Sequence, residues 1–225
     1  MIIDFHAHIQ PKADHGCNSL EMSERQLLLA KQAGVDCVVA VSHFYPFQED
    51  IDSYWARTSK ARDDLANLVS NNPDLPHVMF GTEVTLCNCL DKMEGLKKLC
   101  IKDTNCILIE MPFKKWDPKL IETLDNIKYD LGLSPVLAHV DRYNPQEIEK
   151  LFEMDIPGQI NFYSLLRFFG RKKLLNWIKN GNIVAWGSDI HQLAPGYKGL
   201  SKALKLVGEQ QLNAITEKSK ALLNL

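Results

Sequence analysis

Seven short runs of apolar and β-branched residues recur along the chain, at 2–7, 35–41, 77–82, 105–110, 134–139, 157–162 and 182–187. Runs of this length and composition predict strands. Between and after them, apolar positions recur at helical spacing in charged segments: about 19–33, 51–70, 91–100, 118–130, 145–154, 164–180 and 199–222. That spacing predicts helices. Asp117-Pro118 and Asn144-Pro145 each set an N-cap residue before a proline at the first helical position. Glu147 stands where it would complete a capping box with Asn144. Gly34, Gly132 and Gly181 follow helical segments and precede strands, as helix-terminating glycines do.

Seven βα units with short connections imply parallel strands covered by helices. No GxGxxG or Walker motif follows any strand, which argues against an open nucleotide-binding sheet. The expected fold is therefore α/β, a distorted (β/α)7 barrel, with residues 1–225 as one domain. At 45% hydrophobic residues, the chain can bury a substantial core. The charges nearly balance, 26 basic against 28 acidic, so nothing marks a nucleic-acid or anionic-membrane partner. No apolar stretch approaches the ~20 residues that span a bilayer. The start lacks the basic-then-apolar layout of a signal peptide. A cytoplasmic location without stable membrane insertion is expected. The six cysteines, at 17, 37, 87, 89, 100 and 106, include no C-x-x-C pair. Several lie inside apolar runs and read as buried free thiols of a reducing compartment. Cys87-Asn88-Cys89 is a weak soft-metal signal, and ordinary packing is preferred for it.

Active sites of (β/α) barrels assemble at the C-terminal ends of the strands. His6 and His8 close the first run, and residues i and i+2 of a strand share a face. His43 follows the second run, Glu83 the third, Glu110 the fourth, His139 the fifth, and Asp189 with His191 the seventh. His15 lies in the loop after the first. Of the seven histidines only His77, beside Pro76 at a strand start, falls elsewhere, and it reads as structural or exposed. A single histidine or glutamate at a strand end is ordinarily a satisfied polar group. The set is different, because ionisable residues ending apolar strands are costly to bury unpaired. A polynuclear metal centre supplies the reason.

Imidazole and carboxylate donors suit Zn, Fe or Mn. No cysteine accompanies them, so a Cys-rich structural zinc site is not expected. Nine candidate donors suit two or three metals. Metals paired ~3.5–4 Å apart serve hydrolysis, and phosphoester cleavage fits best. Arg142, three residues beyond His139, stands at the same end, where a guanidinium could grip two phosphate oxygens. A surface arginine capping the helix at 145 would occupy the same position in the sequence.

The stretches "IDFHAHI", "GTEV", "LIEMP", "VLAHVDRY", "GQINFYSLLRFFGRK" and "GSDIH" span the chain in order. Together they resemble the PHP (polymerase and histidinol phosphatase) superfamily. More narrowly they resemble the bacterial capsular-polysaccharide tyrosine phosphatases of the CpsB/YwqE type. The resemblance implies a distorted seven-stranded barrel with a trinuclear centre, Mn being favoured. It implies a phosphoric monoester hydrolase that dephosphorylates a tyrosine autokinase of capsular or exopolysaccharide synthesis, with a metal-activated hydroxide attacking phosphorus. Carried over, His6, His8, Glu83 and Asp189 would hold one metal. Glu83 would bridge to a second, held with Glu110 and His139. His15, His43 and His191 would hold a third. Arg142, His43, His191 and Asp189 would form the catalytic set.

Three departures stand out. His15 takes a ligand position where capsule phosphatases carry an acidic pair, as in the histidinol-phosphatase branch. Phe44 follows His43 where a second histidine is usual. No arginine occurs after Arg171, so Lys198 is the nearest substitute for a late phosphate-binding arginine. Alternatives are a small-molecule phosphatase such as one for histidinol phosphate, a TatD-like metallonuclease or amidohydrolase, and a non-catalytic regulatory binder. TatD-like enzymes and amidohydrolases use about five ligands and one or two metals, which leaves His43 together with His191 unexplained.

Overall fold

The computed structural model describes every residue from Met1 to Leu225. Its strands are β1 (Ile3–Ala7), β2 (Cys37–Ala40), β3 (His43–Phe44), β4 (His77–Phe80), β5 (Glu83–Thr85), β6 (Cys106–Glu110), β7 (Ser134–Leu137), β8 (Gly158–Asn161) and β9 (Ile183–Gly187). Its helices are α1 (Leu20–Gln32), α2 (Ile51–Ser70), α3 (Pro118–Tyr129), α4 (Pro145–Glu153), α5 (Arg171–Lys179), α6 (Leu200–Val207) and α7 (Glu209–Leu223). All seven apolar runs become strands, and every strand pairing is parallel.

The α/β fold with parallel strands is as expected, but the strands do not close into a single barrel sheet. The strands divide into a three-stranded sheet, β1-β2-β4, and a six-stranded sheet, β3-β5-β6-β7-β8-β9. The division has a local cause. The second and third runs each break after their apolar part, at Val41-Ser42 and Gly81-Thr82, and resume as β3 and β5 in the other sheet. Tyr54 of α2 pins both breaks, its hydroxyl lying 2.8 Å from Ser42 Oγ and 2.9 Å from Thr82 Oγ1. The resumed pieces pair His43 directly with Glu83.

β1 and β9 meet without a ladder. Backbone bonds join them only near their C-terminal ends, from Asp189 N to His6 O (2.8 Å) and from His8 N to Ile190 O (3.2 Å). The buried Asp4 carboxylate accepts from Ser188 N (2.9 Å) and from Tyr197 Oη (2.6 Å). Side-chain bonds thus replace ladder bonds where the two ligand-bearing strands converge. Gly187 permits the approach, because a Cβ there would stand 2.6 Å from His6 Cβ.

The helices follow the predicted order, with three corrections. Residues 91–100 form two short 3-10 turns, Leu90–Lys92 and Leu96–Leu99. The segment 164–180 becomes a 3-10 turn over Phe162–Leu166 followed by α5, and 199–222 splits into α6 and α7. Glycines with positive φ stand at each division: Gly95 (φ 80°), Gly170 (φ 82°) and Gly208 (φ 87°). The caps form at Asp117, which accepts from Leu120 N, and at Asn144, which accepts from Gln146 N. Glu147 does not close the box.

Two apolar layers result. A cluster of 13 buried residues, including Ile3, Phe5, Val39, Leu108 and Val136, lies where β1, β2, β6 and β7 face one another. A larger cluster of 45 lies between strands and helices, through Leu27, Tyr54, Leu124, Ile148 and Trp177. The six cysteines are all free, with Cys89 exposed and Cys87 half-buried. No helix is long and apolar enough to cross a membrane.

Candidate metal centre

Parallel strands place their C-terminal residues on one rim. Glu83, fully buried at the start of β5, is the hub. Its Oε2 lies 3.3 Å from His6 Nε2, 3.1 Å from His8 Nε2 and 3.1 Å from His43 Nδ1, and its Oε1 lies 2.9 Å from His139 Nε2. Glu110 Oε1 stands 3.6 Å from His139 Nε2. Asp189 Oδ1 stands 3.7 Å from both His6 Nε2 and His8 Nε2. Three groups converge tightly enough to share an ion: His6, His8 and Asp189; His43, Glu83 and Glu110; and His8, His43 and His191. His139 adjoins the second group through Glu83. His15 lies outside these groups on the exposed rim, its ring stacked 5.1 Å from His43 and 4.6 Å from His191.

The donor chemistry fits divalent cations. His6 Nε2 and His8 Nε2 face each other at 3.0 Å. Glu83 Oε2, His43 Nδ1 and His139 Nδ1 are buried yet lack any partner with hydrogen-bond geometry. Buried polar atoms are ordinarily satisfied, and a cation among these lone pairs would satisfy them. Burial alone would raise the Glu83 carboxyl, but the charge of His6 and the hydrogen bond from His139 hold it well below the usual range. Burial, reinforced by the neighbouring charge of His8, pushes His191 down to about 4. His139 (φ 32°) and Asp189 (φ 49°) both adopt left-handed backbone, a cost that functional sites commonly bear.

A second layer of side chains orients these donors. Asp14 Oδ2 accepts from His8 Nδ1 (2.9 Å) and His43 N (3.0 Å), and its Oδ1 accepts from Gly16 N (2.8 Å). Gln159 Oε1 accepts from His139 N (2.7 Å) and lies 3.2 Å from His6 Nδ1. Asn161 Nδ2 donates to Asp189 Oδ2 (3.2 Å). Such partners fix imidazole orientation and tautomer. Sequence reasoning assigned Asp14, Gln159 and Asn161 no role. Two amides alternating within the buried run "GQIN" were the available signal, since one face of a buried strand rarely carries two amides without a reason.

The donors open into a cleft of about 960 Å³. Arg142 lines it, with Nη1 3.3 Å from Asp189 Oδ2 and the guanidinium over the Phe113 ring at 5.0 Å. A second guanidinium also lines it, Arg167, over the Tyr163 ring at 5.6 Å. It comes from the 3-10 turn after β8, a position that the sequence reading passed over. Lys198 does not line the cleft. Its neighbour Tyr197 turns inward to Asp4, which leaves Lys198 exposed. His77 is exposed at the start of β4.

Residues 2–220 match the family model for capsular polysaccharide synthesis proteins CpsB/CapC. The tyrosine-protein phosphatase CpsB of Streptococcus pneumoniae is 28% identical, over 85% of this chain and 84% of that protein. The CpsB of Streptococcus agalactiae is 24% identical, over 95% and 94%. Among solved structures, one from work on Bacillus subtilis YwqE and S. pneumoniae CpsB, unique metal-dependent tyrosine phosphatases, superimposes with a TM-score of 0.83. It is 24% identical and covers 99% of this chain and 94% of its own. The phosphotriesterase homology protein of Escherichia coli shares the fold more distantly, at a TM-score of 0.54 with 10% identity over 95% of this chain and 94% of its own. With nearly its whole length matched, the chain belongs to the CpsB/CapC family of capsular polysaccharide synthesis.

Proposed function

We propose that the protein is a metal-dependent tyrosine phosphatase of capsule synthesis, acting on a phosphorylated tyrosine autokinase in the cytoplasm. The observation that carries this is the ring of imidazoles and carboxylates around Glu83, opening into a cleft with two guanidiniums. On this reading residues 1–225 form one metallophosphatase domain with the distorted barrel of the PHP type. His6, His8 and Asp189 would hold one metal, and Glu83, Glu110 and His139 a second. His43 and His191, with His15 at the rim, would hold a third, with Mn favoured over Fe or Zn. When bound, such metals lower the pKa of water and neutralise phosphate charge.

The protein's own groups position the substrate. Arg142, braced by Asp189 and Phe113, presents a fork that matches two phosphate oxygens. Arg167 offers a second cation from another loop, in place of the expected late arginine and of Lys198. Asp14, Gln159 and Asn161 hold His8, His139 and Asp189 in orientation. With His43, His191 and Asp189 committed to the metals on this reading, protonation of the leaving phenolate is left to water.

The purified protein, loaded with Mn, is expected to hydrolyse p-nitrophenyl phosphate and a phosphotyrosine peptide, with elemental analysis near three metals per chain. Cleavage of neither substrate sinks the proposal. The stacked His15 favours one second reading, a phosphatase for a small metabolite. Faster turnover of histidinol phosphate than of the phosphopeptide would select it.

A further inference from the structure

A second large cavity, of about 880 Å³, lies at the N-terminal ends of β6 and β7, opposite the metal centre. Its apolar surface includes Phe80, Ile101 and Leu222. Four cations line it, Arg62, Lys97, Lys98 and Lys102, against two carboxylates, Asp63 and Asp103. Lys97 and Lys102 make no ion pair, and Lys98 reaches only the exposed Asp52 at 3.5 Å.

The α2 wall carries a second, independent feature. The Arg62 guanidinium stacks over the Trp55 indole at 4.1 Å. Both Arg62 Nε and Trp55 Nε1 are buried and find no acceptor in the protein. Those two nitrogens are enclosed, so what this wall offers the cavity is the stacked guanidinium and indole, a cation beside an aromatic surface. Four cations against two carboxylates favour an anion, and the apolar surface beside them suits an organic portion. We propose that this cavity binds a small phosphorylated organic molecule, at a site separate from the catalytic cleft.

Arg62 is unsuitable for the test, because its Nη2 also holds Gly81 O (3.0 Å) and Tyr54 Oη (3.0 Å) beneath His43 and Glu83. Lys97 and Lys102 are exposed and free to change. Calorimetry on the metal-loaded protein would use two probes: inorganic phosphate and the non-hydrolysable α,β-methylene adenosine diphosphate. The analogue is expected to bind saturably, and to bind still when Arg142→Ala and Arg167→Ala disable the catalytic cleft. Lys97→Ala with Lys102→Ala should weaken it about tenfold or more, the equivalent of about 1.4 kcal/mol, with kcat/KM on p-nitrophenyl phosphate unchanged. Trp55→Phe should remove a fluorescence change that the parent shows on binding. Phosphate binding as tightly as the analogue, with the same lysine dependence, would support the site with phosphate itself as the ligand. Binding that follows Arg142 and Arg167, binding indifferent to both pairs, or no saturable binding of either probe would each overturn the proposal.

Discussion

Asp14 offers the most discriminating test of how the centre is built. Its side chain is 8% exposed and accepts three hydrogen bonds: two at Oδ2, from His8 Nδ1 and His43 N, and one at Oδ1, from Gly16 N. Asp14→Asn keeps the shape and removes one acceptor. If the amide nitrogen replaces Oδ2, it faces two N–H donors. If the side chain flips, the amide nitrogen faces Gly16 N–H instead. Either orientation sets donor against donor, and the protein relieves the clash by turning His8 or shifting the Gly16 loop. Losing one charge-assisted hydrogen bond costs ~1.5–3 kcal/mol. Loss of such an orienting partner lowers metal affinity or activity about 10–100-fold, which is the same scale. The assay is competition between the protein and a chelating dye for Mn or Zn, with kcat on p-nitrophenyl phosphate measured in parallel. Circular dichroism would confirm that the variant is folded. A folded variant with metal affinity and kcat within about twofold of the parent, well short of the 10–100-fold scale, would refute the role assigned to Asp14.

Gly187→Ala is expected to destabilise the protein by about 1–3 kcal/mol, because the new Cβ would press on His6 Cβ across the β1–β9 seam. Urea denaturation measures this, and an unchanged midpoint would show that the seam is loose. Arg142→Lys keeps the charge and loses the fork, so KM for p-nitrophenyl phosphate should rise by about tenfold while folding is unaffected. Arg167→Ala, which breaks no bond to the centre, should raise KM less, and equal kcat and KM for parent and variant would remove Arg167 from the substrate. Thiol labelling of the native protein near pH 8 should find Cys89 fast and Cys87 slower. Burial pushes Cys37 up to about 12, with Asp4 and Asp36 adding to it, and pushes Cys100 up to about 11, so neither supplies thiolate there. Rapid labelling of Cys37 or Cys100 would contradict their packing.

Much of the centre was legible because its donors obey a local rule. All but His15 end or closely follow an apolar run, and parallel strands bring such ends to one rim. That reasoning located Glu83 and His139 from their positions alone, and the structure places their side chains 2.9 Å apart. It failed where a partner comes from a distant segment with no periodic mark. Arg167 stands in a turn, and nothing in "SLLRFFG" says that the turn folds back over the cleft. Lys198 had the right chemistry and nearly the right position, but its exposure was settled by the bond of Tyr197 to Asp4, 193 residues away in sequence. How far the barrel closes was hidden similarly. Strand number follows from counting apolar runs, whereas closure depends on whether the first and last strands meet as a ladder or across side chains.

The sequence by itself determined the alternation of strands and helices, the sites of the caps, and the rim on which the ionisable residues gather. Periodicity and local turn chemistry act over a few residues, so they can be read without knowing what packs on what. Only the tertiary structure decided which imidazoles share Glu83, that Asp14 rather than solvent orients His8, and that the strands switch sheets at Ser42 and Thr82. Those outcomes rest on contacts between residues tens to hundreds apart, whose distances are set by the packing of the two apolar layers.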